Sequence, residues 1–212
     1  MPTRLTHRFA IATAVLCAAG PASAASHLWR FHEFYSSPDR KVQFIEMHEI
    51  GGSDIETNIS EHWYATNGYN QSHSQLLGSD LPFGTAYKKF LVGSVSYAAL
   101  AQEIEGLPAP DYVLPDGFLN PDGDTVVWWF YQTITIPPGV MPSDGYQSIT
   151  VVDPAVPTYS VGPNSPTNFA GETGSIPATV VPSMSAWGAL LGAVALGAAA
   201  RVGRRAGSRR KT

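Results

Sequence analysis

Between residues 25 and 153, apolar and polar positions alternate with the period of two expected of β-strands. In "LWRFHEFYSS", Trp29, Phe31, Glu33 and Tyr35 fall on one face, with Arg30, His32 and Phe34 on the other. "SPDR" reads as a turn, and "KVQFIEMHEI" alternates again, Val42, Phe44 and Glu46 against Gln43, Ile45 and Met47. Two aromatic-rich runs around a short turn predict a hairpin. "EHWYAT", "YKKFLVGS", "DTVVWWFYQ", "TITI" and "YQSITVV" are further strand candidates. Asp116-Gly117, Asp122-Gly123 and Asp144-Gly145 mark turns. The one predicted helix is short, "VSYAALAQEI" over 95–104. With no strand–helix alternation, this pattern predicts an all-β domain, a single sandwich rather than an α/β sheet.

The pattern changes at both ends. Residues 1–24 have Arg4 and Arg8, an apolar run and the small-residue site Ala22-Ser23-Ala24, the layout of a secretory signal peptide cut between Ala24 and Ala25. Signal peptidase is the implied partner. Cleavage removes Cys17, the only cysteine, so the exported fold carries no disulfide or thiolate site. Residues 154–180 repeat proline among Gly, Ser, Thr and Asn, which predicts a spacer whose N-terminal half can still lie against the domain. From Trp187 to Ala200 every residue is apolar or glycine, predicting a marginal transmembrane helix over about 187–202. Arg201, Arg204, Arg205, Arg209, Arg210 and Lys211 then form a basic tail over 201–212 that would remain cytoplasmic.

This segmentation alters the reading of charge. The net charge of −4 includes basic residues of both ends; residues 25–180 hold five basic and seventeen acidic residues, a net −12. So acidic a surface repels phosphate backbones and argues against nucleic-acid binding.

"VPSMSAWG" (181–188), an apolar span and terminal arginines together resemble the IPTLxxWG sorting signal of Gram-negative bacteria, of the PEP-CTERM-like class. Pro182, Trp187 and Gly188 match its pattern, and Val181, Ser183 and Met184 stand for its Ile, Thr and Leu. The resemblance implies transient residence in the inner membrane and processing over 181–212 by an exosortase-like transpeptidase or protease. Cell-surface or extracellular delivery would follow. Within the domain, "FHEFYSSPDRKVQFIEMHE" is similar to the opening of lamin-tail domains, and "KKFLVGS" and "FLNPDGDTVVWW" resemble later strands of that family. That likeness implies an immunoglobulin-like β-sandwich engaged in adhesion, matrix or envelope scaffolding, with no catalytic residues and an unidentified surface ligand.

Candidate chemistry is sparse. His32, Glu33, Glu46, His48 and Glu49 share one hairpin, but strict alternation sends His32 and Glu33, and likewise His48 and Glu49, to opposite faces, which argues against a metal site. The same alternation places Glu33 and Glu46 beside core aromatics, where each carboxylate needs a donor such as a backbone N–H at a bulge or strand edge. Asn120, Asp122 and Asp124 in "NPDGD" resemble the start of a calcium loop without its closing glutamate, so a plain turn is expected. Adjacent Trp128 and Trp129 should point in and out respectively or the reverse, the outward ring being free to meet carbohydrate or a partner. No nucleophile elbow or phosphate loop occurs, and no cofactor is expected. The expected role is non-catalytic; a secreted hydrolytic enzyme with an unrecognised site and a calcium-dependent adhesin module are the alternatives.

Overall fold

The computed structural model describes residues 27–68 and 71–178. The signal segment with Ala24 and Ala25, the sorting motif Val181–Gly188, the apolar span and the basic tail lie outside the described residues. Among the described residues no helix is long and apolar enough to cross a membrane.

The described chain is mostly β with one short helix. Its strands are β1 (Trp29–Ser36), β2 (Gln43–Glu49), β3 (Trp63–Gly68), β4 (Gln71–Leu76), β5 (Lys89–Ser94), β6 (Tyr112–Leu114), β7 (Asp124–Trp128), β8 (Gln132–Ile136), β9 (Gln147–Asp153) and β10 (Thr158–Pro163); helix α1 is Val95–Glu103. They form a six-stranded sheet of order β10-β9-β1-β2-β5-β6 and a four-stranded sheet of order β4-β3-β7-β8, consistent with a β-sandwich. The main core lies between the sheets: Trp29, Phe31, Phe34, Ile45 and Met47 of the larger meet Tyr64, Val126, Trp128, Ile134 and Ile136 of the smaller. A second core, Tyr35, Phe44, Leu91, Tyr97, Leu107 and Ile176, covers the outer face of the larger sheet.

The two cores follow from one irregularity. β1 pairs antiparallel with β2, but Phe31 faces Met47 while Glu33 faces Glu46, so His32 is an extra residue. Such a bulge reverses the alternation beyond it. Trp29 and Phe31 thus point between the sheets, and so does Phe34, whereas Glu33 and Tyr35 turn outward, contrary to the uninterrupted alternation expected from sequence.

Helix α1 starts where Ser94 Oγ accepts from Tyr97 N at 3.1 Å. It lies on the outer face because Tyr97 packs there; a Cβ on Gly93 would come within 2.5 Å of the Tyr97 ring. The candidate run "DTVVWWFYQ" is broken at Trp129, and β4, β6 and β10 are strands beyond those anticipated.

The N-terminal half of the 154–180 segment does lie against the domain, and the larger departure is its C-terminal half. Residues 158–163 form β10 and pair with β9, and 164–178 fold back across the outer face. Ile176 is fully buried, its N–H donating to Asn164 Oδ1 at 2.7 Å while Asn164 Nδ2 donates to Ile176 O at 3.0 Å. The low-complexity composition of this segment conceals a strap, because its seating depends on backbone N–H groups and a few anchors rather than on an apolar period.

Candidate functional site

The first candidate site is the outer face of the larger sheet at the bulge. Glu33 and Glu46 face each other across β1 and β2 and are 1% and 0% exposed. As an extra residue, His32 lies on their side, with Nδ1 2.6 Å from Glu46 Oε1. Lys89 of β5 places Nζ 2.8 Å from the same oxygen. His48, opposite Lys89 in the β2–β5 register, packs its ring against His32 with centroids 5.5 Å apart. Ligand atoms of His32, Glu33 and Glu46 all lie within 4.8 Å of one another. The divergence of His32 and Glu33 expected from alternation is therefore corrected by the bulge. Glu49 does turn away, accepting from the N–H groups of Gly51, Gly52 and Tyr87 at 2.8 Å each.

The strap and β9 supply the remaining donors. Ser165 N and Oγ donate to Glu33 at 2.8 and 2.9 Å, and Ser148 Oγ adds a third bond at 2.7 Å. Thr167 N donates to Glu46 Oε2 at 2.7 Å. Phe169 N donates to Asp111 Oδ2 at 2.9 Å, and the Phe169 ring lies under Lys88 Nζ at 4.3 Å. Alternate amides of the strap thus each meet a carboxylate, two from the sheet and one from Asp111 just before β6. Burial pushes the Glu33 carboxyl above its ordinary value against the pull of its hydrogen bonds, and burial pulls the His48 imidazole below its ordinary value. The donors expected for Glu33 and Glu46 are thus present, but Ser165, Thr167 and Asp111 carry no sequence signal as partners, since the bonds run from carboxylates to distant backbone.

The second candidate site is the β7–β8 hairpin tip. Trp128 is fully buried. Trp129 points outward, half-buried, with φ at 45°, in the left-handed region that few bulky residues occupy. Phe130 is 81% exposed. The Trp63 ring contacts Trp129 and Phe130 at centroid distances of 5.7 and 6.2 Å, and those two meet each other at 4.8 Å. Behind them His62 stacks on Trp128 and Tyr131 at 5.4 and 5.5 Å, and burial lowers its imidazole pKa. The tip is a raised cluster of mutually edge-on rings.

The NPDGD turn is bonded largely within itself and to Arg40. Asp122 forms an ion pair with Arg40, Asp122 N donates to Asn120 Oδ1 at 3.1 Å, and Asn120 N donates to Asp124 Oδ2 at 2.9 Å. A cavity of about 210 Å³ lined by Arg40, Thr66, His73 and Asn120 contains no acid. No family model matches this chain, and comparison with curated proteins and with solved structures finds no match.

Proposed function

We propose that this chain is an exported protein whose single sandwich, immunoglobulin-like and of lamin-tail type, works by binding at the cell surface rather than by catalysis. The observation that carries this reading is the aromatic hairpin tip. Exposed large apolar groups clustered on a raised turn suit contact with another surface, and Phe130 is 81% exposed there. The excess of acids suits a soluble domain outside the cell. Signal peptidase and an exosortase-like enzyme are its processing partners, the inner membrane its transient station, and adhesion, matrix or envelope scaffolding its role.

The test separates delivery from binding. Replacing Pro182 and Trp187 should leave the folded protein in the inner-membrane fraction. Replacing Trp129 and Phe130 by serine should leave delivery and folding unchanged but abolish retention of the purified protein on envelopes of the producing cells. Full retention of that double variant overturns the binding surface; normal surface delivery of the first overturns the sorting reading.

A further inference from the structure

The hairpin whose alternation argued against a metal has its ligands gathered by the bulge. We propose that His32, Glu33, Glu46 and His48 form a site for a divalent transition metal of the zinc type, in which the ion takes the position now held by the Lys89 ammonium.

Three observations converge. The first is charge. Two carboxylates, 1% and 0% exposed, stand opposite each other across β1 and β2, and Lys89 is the one lysine or arginine in an ion pair with either among the described residues. The strap above them contributes only neutral donors, Ser165 and Thr167. Arg30 spends its guanidinium on the carbonyls of His27 and Trp29. Lys89 is permanently charged and His32 carries a positive charge only when protonated, so with a neutral imidazole two buried acids leave room for a second positive charge, which a dication supplies at a single point.

The second is geometry. Two ligand atoms held tetrahedrally at about 2.0–2.1 Å from one ion lie about 3.3 Å apart. The three ligand atoms here span no more than 4.8 Å, and His32 Nδ1 and Glu46 Oε1 are 2.6 Å apart, so side-chain rotations of under about 1 Å close the set. His48 is outside this converging trio, but its ring, with its centroid 5.5 Å from that of His32, is near enough to turn a nitrogen toward the ion as a fourth ligand. Two rings sharing one zinc have centroids about 5 Å apart, from the same bond lengths.

The third is the occupant. Lys89 is only partly buried, and its flexible stem allows the ammonium to swing to solvent. The donor set, imidazole with carboxylate, favours zinc over calcium or magnesium, which take oxygen alone.

The experiment follows zinc binding to the untagged full chain by calorimetry and by thermal midpoint, with calcium as control. One zinc per chain and a raised midpoint are expected, with no effect of calcium at equal concentration. His32→Ala should weaken zinc at least about tenfold. Lys89→Met should tighten it by about tenfold, because the resident cation no longer competes; incidental binding to surface histidines would not respond in that direction. If His32→Ala fails to fold, His48→Ala and Lys89→Met decide between them. The proposal is overturned if neither the parent nor Lys89→Met binds zinc, or if Lys89→Met weakens binding.

Discussion

The outer face of the six-stranded sheet and the tip of the β7–β8 hairpin treat exposure in opposite ways. On the outer face, buried acids and aromatics are sealed beneath residues 164–178, and each carboxylate oxygen of Glu33 and Glu46 has a donor. At the tip, Trp129 and Phe130 stay outside although a hairpin of this kind folds readily with small polar residues. The first region uses polar chemistry to fasten the chain to itself; the second leaves apolar chemistry for something else. Stability should therefore reside in the strap, and binding at the tip.

Ending the chain at Pro163 is the strongest way to break this contrast. Glu33 and Glu46 would lose the Ser165 and Thr167 amides, Phe169 would leave the main core, and Ile176 would leave the outer-face core. Each buried side chain is worth roughly 2–5 kcal/mol and each lost charged hydrogen bond roughly 1.5–3 kcal/mol. Their sum is comparable with the whole stability of a domain, so the shortened protein should be largely unfolded at 25 °C by circular dichroism. A cooperative urea transition at the parent's midpoint would return this segment to the status of spacer. Ile176→Ala sharpens the same point with a smaller expected cost of about 3 kcal/mol in urea unfolding, since Ile176 is fully buried against the second core.

Which of these features the sequence disclosed follows from how each is encoded. Strands with a period of two were legible, because side-chain pattern and burial coincide in them, and the short helix was legible although Tyr97 is its one buried residue. The bulge at His32 was not, since an extra residue leaves the composition of "FHEF" unremarked yet reverses every face after it. Phe34 was therefore assigned outward and Tyr35 inward, and the histidine was separated from the two glutamates it joins. The strap was missed for another reason: carboxylates recognise its amides, and amides are the same in every sequence. The outward tryptophan was anticipated from the Trp128-Trp129 pair, though not that the chain would turn there.

Acidification should act on the tip before the strap is lost. His62 is stacked among Trp128, Trp129 and Tyr131, and burial holds its imidazole below the ordinary value. The folded state then binds fewer protons than the unfolded state. The stability this contributes is complete above the unfolded value near 6.5 and declines as pH falls through the folded one. Between pH 7 and pH 5 the parent should lose more stability than His62→Gln, by roughly 1 kcal/mol or less, measured as urea midpoints at each pH. Equal losses would mean that this imidazole is not held neutral by its aromatic neighbours.

The smallest effect concerns the backbone beneath Trp129. A non-glycine residue at φ 45° costs on the order of 1 kcal/mol. The tryptophan offsets this through its contacts with Trp63, His62 and Phe130 at 5.7, 5.0 and 4.8 Å between ring centroids. Removing the ring by two routes separates these contributions. Trp129→Ala loses the contacts and keeps the strain, whereas Trp129→Gly loses both, because glycine occupies positive φ at no steric cost. Glycine should therefore be the more stable replacement by about 1 kcal/mol, although within a strand it is ordinarily the less stable one. Both variants should lose retention on envelopes equally, since retention depends on the ring. If alanine proves the more stable, the turn is not strained and the outward ring is held by packing alone. If glycine is more stable and still binds, the tip's contact resides in Phe130 and Trp63.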